Sequence, residues 1–391
     1  MEGIRDKVAI IGMGCTKFGE LWDKSADDLV VDACYEAFED AGVETKDIQA
    51  AWFGSCFSGF QGSALATPLK LEYIPVTRVE NLCCTGTEAI RGAAYAVAAG
   101  AYDMVLACGV EKLKDHNVGF GKVRGLPLDS SQIHLDLPPT NFFAKLAVRY
   151  FYHYGISMEE GRRILAQIAV KNHHNGTLCP KAHLRREVSI ETVLNAPMIS
   201  YPLGLYDCCG LSEGGAAAVI TTPEIAKSLR TEYILIKGFG ISSGAAQAEL
   251  RSDYDYTYIP ENVYCAQQAY KEAGIKNPRQ EIDVAEVHDC FTIHELSIYE
   301  SLGFSPQGRA REDVEAGTFT LEGELPVNTD GGLKSFGHPL AASGIRMIYE
   351  IYNQLLERAG PRQVKNARIG LSHNLGGLPP NCAVVIIGRP D

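Results

Sequence analysis

The sequence predicts an α/β fold, and three observations support this prediction. Short apolar segments of strand length alternate with longer segments of helical character along most of the chain. Hydrophobic residues make up 46% and charged residues 21% of the sequence, which is the composition of an ordinary globular protein. The chain has 391 residues, and at about 100–200 residues per domain this length predicts two or three domains.

The alternation of strands and helices occurs twice. In the first half, Gly42 and Gly100 follow the two helical segments, and glycine commonly ends a helix. A second α/β pattern begins near Tyr233. We predict strands at 8–11, 77–82, 104–108, 216–221, 234–237, 284–287, 369–372 and 383–387, and helices at 25–41, 88–99, 263–273, 293–302 and 344–358.

Residues 112–200 differ in character from the segments on either side. This stretch contains prolines, clustered aromatic residues and six of the ten histidines, and it predicts an inserted, mainly helical lobe. We therefore divide the chain into an N-terminal half at 1–225, which carries the lobe, and a C-terminal half at 226–391. Two α/β halves suggest a duplicated unit, although no clear residue-level repeat is visible.

Charge and cysteine spacing exclude several classes of protein. The formal net charge of −12 argues against a nucleic-acid binder, whose surface is basic. The twelve cysteines include no Cys-x-x-Cys pair and none of the usual zinc spacings, so no metal is expected. No segment reaches the ~20 apolar residues that a membrane span requires. We expect a cytoplasmic protein with reduced thiols that binds neither membranes nor nucleic acid.

Gly12 and Gly14 follow the first predicted strand, as in a dinucleotide-binding motif. The third glycine of that motif is replaced by Lys17, and no clear acidic residue follows at the expected distance. The sequence therefore favours a tight turn over a nicotinamide or flavin site.

Cys83 lies between a predicted strand and an alanine-rich helix, with Gly86 three residues further on. A helix N-terminus lowers the pKa of a thiol towards that of a nucleophilic thiolate. Free cysteines are also often small buried apolar residues. By itself, this motif supports a nucleophile and a packing residue equally.

Two histidine segments follow in the second half of the chain. His288 and Cys290 come directly after an apolar strand, where α/β sheets commonly place ligands; metal ligation or a buried structural histidine fits this segment equally well. His338 lies between glycine and proline at a helix start, after the glycine turn at 328–332, and this position favours a functional imidazole. A further turn at 372–377 offers backbone N–H groups for an oxyanion hole, or simply joins two strands.

Together these segments resemble the thiolase superfamily, specifically the sterol-carrier-protein-type thiolases of bacteria and archaea. The resemblance spans nearly the whole chain and is most specific in three motifs in this order: Cys-x-x-Gly at 83–86, His-Asp-Cys-Phe at 288–291 and Gly-His-Pro at 337–339. Supporting segments lie at 8–12, 16–19, 107–111, 169–173 and 212–218. The resemblance implies two similar βαβαβαββ halves in a five-layer α-β-α-β-α arrangement.

The resemblance also implies an activity and roles for particular residues. The activity is thiolytic cleavage of a 3-oxoacyl-CoA, or the reverse Claisen condensation, with CoA as substrate and no cofactor. Cys83 is then the acylated nucleophile, His338 its base and Cys290 the acid/base thiol. His288 and His338 line one oxyanion hole, and the backbone N–H groups of Cys83 and Gly376 line the other.

The sequence departs from the family pattern at several positions without losing a catalytic group. Cys84 follows the nucleophile where small residues are common, and Asn374 occupies the position of a C-terminal cysteine found in other thiolases. In the lobe, Lys181, His183, Arg185 and Arg186 form a basic run that we assign to the CoA phosphates, with solvated surface charge as the simpler interpretation.

Alternatives and partners remain open at this point. A thiolase-like aldolase or a non-catalytic scaffold subunit has the same fold, but neither needs the retained cysteines and histidines. Relatives of this branch imply a homodimer or larger assembly, and a small zinc-ribbon/OB-fold partner. The acyl group is open between acetoacetyl, branched and aromatic types such as benzoylsuccinyl.

Overall fold

The computed structural model describes residues 3–116, 139–230, 232–377 and 380–390. Its strands are β1 (Ala9–Cys15), β2 (Ala50–Gly54), β3 (Val76–Val79), β4 (Met104–Glu111), β5 (Met198–Ser200), β6 (Leu203–Gly204), β7 (Gly214–Thr221), β8 (Ile234–Ser243), β9 (Val284–Glu286), β10 (Ile369–Gly376) and β11 (Asn381–Gly388). Its α-helices are α1 (Ala26–Ala41), α2 (Ser63–Leu69), α3 (Thr85–Ala98), α4 (Pro139–His153), α5 (Met158–Thr177), α6 (Ile190–Leu194), α7 (Pro223–Leu229), α8 (Gln247–Leu250), α9 (Pro260–Ala273), α10 (Pro278–Glu281), α11 (Thr292–Ser301), α12 (Ala310–Glu315), α13 (Gly332–Ser335) and α14 (Leu340–Leu355). None of the helices in these ranges has the length and apolar character of a membrane span.

Nine strands form one sheet in the order β3-β2-β4-β7-β1-β8-β11-β10-β9. The two halves meet at β1 and β8, which pair antiparallel through Ala9 with Leu235 and Ile10 with Ile234. In the first half, β1 pairs antiparallel with β7, β7 antiparallel with β4, and β4 parallel with β2. In the second half, β8 pairs antiparallel with β11, β11 antiparallel with β10, and β10 parallel with β9. A single parallel bridge between Ala285 and Val327 continues the second half where β3 lies in the first. The duplication predicted from the sequence is thus visible in the topology.

Helices α3 and α14 lie between the two halves, since each contacts the other and strands of both halves. Helix α1 packs on β1, β4 and β7, and α9 packs on β8 and β11. The apolar side chains of Ile90, Ile345 and Val385 belong to the core around the central helices, whereas Leu29 and Phe53 belong to a separate core beneath α1. The layers are therefore α1, the strands of the first half, α3 with α14, the strands of the second half, and α9, which is the predicted α-β-α-β-α order.

The predicted strands and helices are present, with two informative differences. First, β2 was not predicted. Second, Gly12 and Gly14 lie inside β1 rather than in a turn. A Cβ on Gly14 would lie 2.1 Å from the carbonyl oxygen of Ala33, and one on Gly12 would lie 2.4 Å from that of Ala37. The two glycines let α1 pack closely on β1, so the turn interpretation was wrong.

The predicted lobe is helical where the structure describes it, in α4, α5 and α6, followed by the β5-β6 hairpin. Its part at 117–138 lies outside the described residues. Helix α5 contacts α11 and α13, the helices that follow His288 and precede His338. The lobe therefore packs against the second half beside both histidine segments.

Candidate active site

Cys83 occupies a tight connection between β3 and α3. The preceding residue, Leu82, has a left-handed backbone with φ of 49°, and the backbone N–H of Asn81 donates to Thr85 Oγ1 at 2.8 Å. Cys83 is partly exposed, whereas Cys84 is buried and its thiol donates to the carbonyl oxygen of Asn381 at 2.9 Å. Of the two adjacent thiols, only Cys83 is accessible from outside.

The thiol of Cys83 faces an imidazole with a defined tautomer. Cys83 Sγ lies 3.2 Å from His338 Nε2, and His338 Nδ1 lies 2.8 Å from Ser343 Oγ. The Ser343 hydroxyl donates its own hydrogen to the carbonyl oxygen of Pro339 at 2.8 Å, so it accepts from Nδ1. His338 therefore carries its proton on Nδ1, and Nε2 is free to accept the proton of Cys83.

This contact depends on how closely two central helices approach. A Cβ on Gly86 of α3 would lie 2.5 Å from the carbonyl oxygen of Ala341, and one on Gly344 of α14 would lie 2.3 Å from Thr87 Oγ1. The first turns of α3 and α14 thus meet at two glycines. Cys83 and His338 immediately precede these turns, so the helix crossing brings them together.

Burial determines the protonation state of the pair. It raises the pKa of Cys83 to about 12, although the backbone N–H groups of Gly377 and Cys83 lower it in part. Burial, followed by the nearby charge of Arg346, lowers the pKa of His338 to about 3. These shifts favour a neutral thiol and a neutral imidazole in the free protein. Desolvation opposes the helix N-terminus here and has the larger effect on the pKa of Cys83.

His288 lies beside this pair, with its ring centroid 5.1 Å from that of His338. The amide Nδ2 of Asn374 donates to His288 Nδ1 at 3.2 Å, so the proton of His288 is on Nε2. Cys83 Sγ, a ring nitrogen of His288 and one of His338 all lie within 4.8 Å of one another. Two imidazoles are thus available to an oxygen atom held near the thiol.

Cys290 supplies a second thiol in the same cluster. It is 6% exposed, and its sulfur lies within 4.8 Å of a ring nitrogen of His288 and of one of His294. Burial raises the pKa of Cys290 well above its usual value. His288 is therefore close to both sulfurs, one partly exposed and one buried.

A buried ion network fixes the segments that carry the histidines. Arg346 of α14 donates to Glu286 at the end of β9 (2.6 Å) and to Asp330 (2.8 Å), and all three are fully buried. Asp289 accepts from the backbone N–H groups of Leu333 and Lys334, at 2.5 and 3.1 Å, in α13. The glycine turn at 328–332 and the aspartate of the His-Asp-Cys-Phe motif therefore hold His288 and His338 in place.

The glycine turn after β10 approaches Cys83 closely. A Cβ on Gly376 would lie 2.1 Å from the carbonyl oxygen of Asn81 and 3.0 Å from the backbone nitrogen of Cys83, so only glycine fits. Of the two backbone N–H groups that lower the pKa of the thiol, one belongs to Gly377 and the other to Cys83 itself. The turn thus lies against Cys83, and it brings a donor one residue beyond Gly376.

The basic run predicted for CoA does not behave as one group. Lys181 Nζ donates to Glu36 at 2.7 Å and also to the carbonyl oxygen of Cys15, so its charge is neutralised within the fold. His183 contacts Ser212 Oγ at 2.9 Å through Nδ1. Arg185 and Arg186 remain exposed. Lys181 is thus held in an ion pair with Glu36, which lies 145 residues away in the sequence, and its assignment to the CoA phosphates stays a prediction.

Sequence reasoning missed three residues of the cluster: Ser343, His294 and Asn262. Ser343 lies one helical turn after Pro339, a spacing that could have suggested its contact with His338. His294 lies four residues after Cys290 on the first turn of α11. Asn262 comes from α9, and no local sequence signal connects it to the other two.

The cluster also has the side chains of a soft-metal site. Cys83, His288 and His338 form one group, and His288, Cys290 and His294 form another, with ligand atoms within 4.8 Å in each. Thiolate and imidazole are ligands that zinc prefers. His288 belongs to both groups, so it would be a ligand of an ion bound in either one.

Comparisons with known proteins now identify the family. Residues 8–224 match the model of the thiolase N-terminal domain, and residues 242–389 match that of the thiolase C-terminal domain-like family. The chain belongs to the thiolase family. The thiolase fold class and the acyltransferase class of enzyme predicted from the sequence are thereby confirmed.

Three individual proteins illustrate the range of this thiolase's relatives. An acetyl-CoA acetyltransferase of Methanothermobacter thermautotrophicus is 37% identical, over 98% of this chain and 99% of that protein. Sterol carrier protein 2 of Gallus gallus is 30% identical, over 95% of this chain and 70% of that protein. The solved structure of an Ltp2-ChsH2(DUF35) aldolase matches with a TM-score of 0.87 and 26% identity, over 99% of this chain and 98% of that chain.

Proposed function

We propose that this thiolase cleaves a 3-oxoacyl-CoA with CoA, or runs the reverse condensation, through an acyl group on Cys83. The observation that carries the proposal is the 3.2 Å contact between Cys83 Sγ and the unprotonated Nε2 of His338. A neutral thiol in contact with a neutral imidazole can attack a carbonyl carbon while its proton moves to the ring.

The cleavage step uses both thiols. As Cys83 Sγ bonds to the 3-oxo carbon, its proton goes to His338, and the oxygen becomes an oxyanion near the backbone N–H groups of Cys83, Gly376 and Gly377. The bond between C2 and C3 then breaks, and its electrons form the enolate of the leaving acyl-CoA. The Nε2–H of His288 faces the thioester oxygen of that enolate, and Cys290 gives its proton to C2.

The second half returns the enzyme to its starting state. The incoming CoA thiol gives its proton to the Cys290 thiolate, and the CoA sulfur attacks the acyl group on Cys83. Cys83 leaves as a thiolate and recovers its proton from His338. Atoms, protons and oxidation states balance over the cycle, so the proposed reaction needs CoA as a substrate and no redox cofactor.

The experiment separates the roles of the two thiols. We expect Cys290→Ala to form the acyl-Cys83 adduct from an acyl-CoA, as seen by intact-protein mass spectrometry. The same variant should lose about 10²- to 10⁴-fold in carbon–carbon cleavage, which is the usual contribution of a positioned acid or base. Full turnover by Cys290→Ala would reject its acid/base role.

The aldolase alternative has support from the solved aldolase neighbour and makes a different prediction. An aldolase of this fold would cleave its substrate without free CoA and without an adduct on Cys83. A scaffold subunit would give neither adduct nor product. Incubation with acetoacetyl-CoA and, separately, with a 3-hydroxyacyl-CoA, each with and without CoA, therefore distinguishes all three. Longer branched or aromatic 3-oxoacyl-CoA esters then define the acyl group.

Further parts of the proposal concern organisation. The halves are taken as 1–225 and 226–391, and the exposed Arg185 and Arg186 are assigned to the CoA phosphates. All twelve cysteines are free thiols, which supports a reducing compartment such as the cytoplasm.

A homodimer or larger assembly, with a small zinc-ribbon/OB-fold partner, is proposed from the resemblance. The DUF35 component named for the aldolase neighbour supports the partner.

A further inference from the structure

His294 is the imidazole that approaches Cys290 without belonging to the Cys83 group. A ring nitrogen of His294 lies within 4.8 Å of both Cys290 Sγ and a ring nitrogen of His288. His294 is fully buried on the first turn of α11, and its ring centroid lies 5.6 Å from that of His288. None of the roles assigned so far uses this side chain.

The tautomer of His294 follows from a contact with Asn262. Asn262 Nδ2, on α9, lies 3.3 Å from His294 Nε2, and an amide nitrogen can only donate. Nε2 therefore accepts, and the neutral ring keeps its hydrogen on Nδ1. Burial, together with the neighbouring His373, lowers the pKa of His294 well below its usual value, so the ring stays neutral at ordinary pH.

An aromatic side chain of the lobe packs against the ring of His294. Phe143 of α4 lies 5.1 Å from His294 between centroids and stacks on Phe291 at 4.5 Å. Phe291 is the residue between Cys290 and α11. Because Cys290 is only 6% exposed, water contributes little to stabilising a charge on its sulfur. Other titratable groups whose charges act on Cys290 are Cys83, Cys209, Asp289 and Lys334.

The site thus contains two thiol–imidazole–polar arrangements, with His288 between them. In Cys83–His338–Ser343 the sulfur and the imidazole are in contact at 3.2 Å, whereas in Cys290–His294–Asn262 the sulfur and a ring nitrogen lie within 4.8 Å. The two differ in the free ring nitrogen. Ser343 leaves His338 with an unprotonated nitrogen that can accept a proton, whereas Asn262 leaves His294 with an N–H that can donate a hydrogen bond. The first arrangement suits a base, and the second suits stabilisation of an anion.

We propose that His294 is a positioning residue that stabilises the thiolate of Cys290 by donating a ring N–H to it. This inference rests on the proposed function of Cys290. When Cys290 has given its proton to C2 of the leaving enolate, the sulfur is an anion until the CoA thiol returns a proton. His294 donates throughout this interval and neither gains nor loses a proton, so the proton balance of the reaction is unchanged.

The test compares His294→Leu with His294→Asn, which restores a side-chain N–H donor near the position of Nδ1. The readout is exchange of the α-hydrogens of acetyl-CoA with deuterated water, which needs the Cys290 thiolate but no carbon–carbon bond. A hydrogen bond to a charged group predicts a loss of about 10- to 100-fold in exchange for His294→Leu, with partial recovery in His294→Asn. Both variants should still form the acyl adduct on Cys83 to the wild-type extent, as measured by intact-protein mass spectrometry.

The matched control is His173→Asn. His173 of α5 is also buried, and its ring packs against that of Tyr206 at 5.4 Å between centroids, outside both cysteine–histidine groups. We expect this control to exchange at the wild-type rate. Equal exchange in wild type and His294→Leu, or an equal loss in His294→Leu and His173→Asn, would overturn the inference.

A second measurement keeps this inference separate from the proposed function. The rate at which iodoacetamide alkylates Cys290 at fixed pH, followed by peptide mass spectrometry in the Cys83→Ala background, needs no turnover. We expect alkylation to be slower in His294→Leu than in the parent and faster again in His294→Asn. Equal alkylation rates in the parent and His294→Leu would show that His294 does not stabilise the Cys290 thiolate. This conclusion would hold even if the protein turns over no CoA ester.

Discussion

The two halves of the molecule share a topology but place different chemistry at corresponding positions. In the first half, Cys83 precedes the central helix α3; in the second, His338 precedes the central helix α14. The two helices cross at Gly86 and Gly344, so the positions before them lie together and Cys83 Sγ is 3.2 Å from His338 Nε2. The first half thus contributes the accessible thiol, and the second contributes its base.

The second half contributes more to the site than the first. His288, Cys290 and Asn374 all come from it, at the ends of β9 and β10, and the Arg346 network that holds the histidine segments lies entirely within it. The first half adds one reactive atom, Cys83 Sγ, to a group of side chains that the second half holds in place. A duplicated fold can therefore produce an asymmetric site. Each half needs only to place its central helix, α3 or α14, at the crossing, and the residues around that helix can differ between the halves.

The largest expected effect comes from removing the single contribution of the first half. We expect Cys83→Ala to abolish acyl-enzyme formation and to lower turnover by at least about 10⁴-fold, since no other accessible thiol faces His338. Intact-protein mass spectrometry after exposure to acyl-CoA measures the adduct, and a coupled assay measures turnover.

The adjacent thiol provides the control for that experiment. Cys84 is buried and bonded to backbone carbonyl oxygens, so Cys84→Ala should still be acylated on Cys83. An adduct of similar yield in Cys83→Ala would show that the accessible thiol of the first half is not the nucleophile.

The sequence predicted this asymmetry only in part. Cys83, His288, Cys290 and His338 lie next to strand ends or helix starts, where local patterns identify them. Ser343, His294 and Asn262 were missed because their roles come from contacts between elements. The ion pair of Lys181 was missed because its partner, Glu36, is distant in sequence. The pKa of Cys83 could not be predicted, because a local dipole is visible in a sequence, whereas the desolvation that opposes it arises only from packing.

A smaller effect is expected from disturbing the helix crossing itself. In Gly86→Ala the new methyl group would lie 2.5 Å from the carbonyl oxygen of Ala341, so α3 and α14 must move apart. We expect a loss of about 1–3 kcal/mol in the free energy of unfolding from overpacking. Acylation should fall by about 10²-fold, because a shift of ~1 Å between reacting groups has an effect of this size.

Gly92→Ala is the matched control on the same helix. Its methyl group would meet the indole of Trp52 at 2.6 Å, away from α14. We expect a comparable loss of stability in thermal or urea unfolding, with acylation within a few-fold of wild type. If both variants lose acylation equally, the crossing at Gly86 has no special role in aligning the two halves.

The last prediction concerns the protonation of the pair that joins the halves. With the pKa of Cys83 raised to about 12 and that of His338 lowered to about 3, both groups are neutral over the whole range between these values. Alkylation requires the thiolate, so the rate at Cys83 should rise about tenfold for each pH unit between pH 7 and 9. Peptide mapping after a short exposure to iodoacetamide measures this rate at each pH.

The opposite outcome has an equally clear signature. If the dipole of α3 outweighed burial, Cys83 and His338 would form a thiolate–imidazolium pair, and alkylation would already be fast and nearly constant at pH 6 to 8. His338→Asn distinguishes the two states further. It should slow alkylation of an ion pair strongly at pH 7, but it should leave a neutral thiol about as unreactive as before. A flat profile that becomes steep in His338→Asn would show that the two halves exchange their proton before the substrate arrives, rather than in response to it.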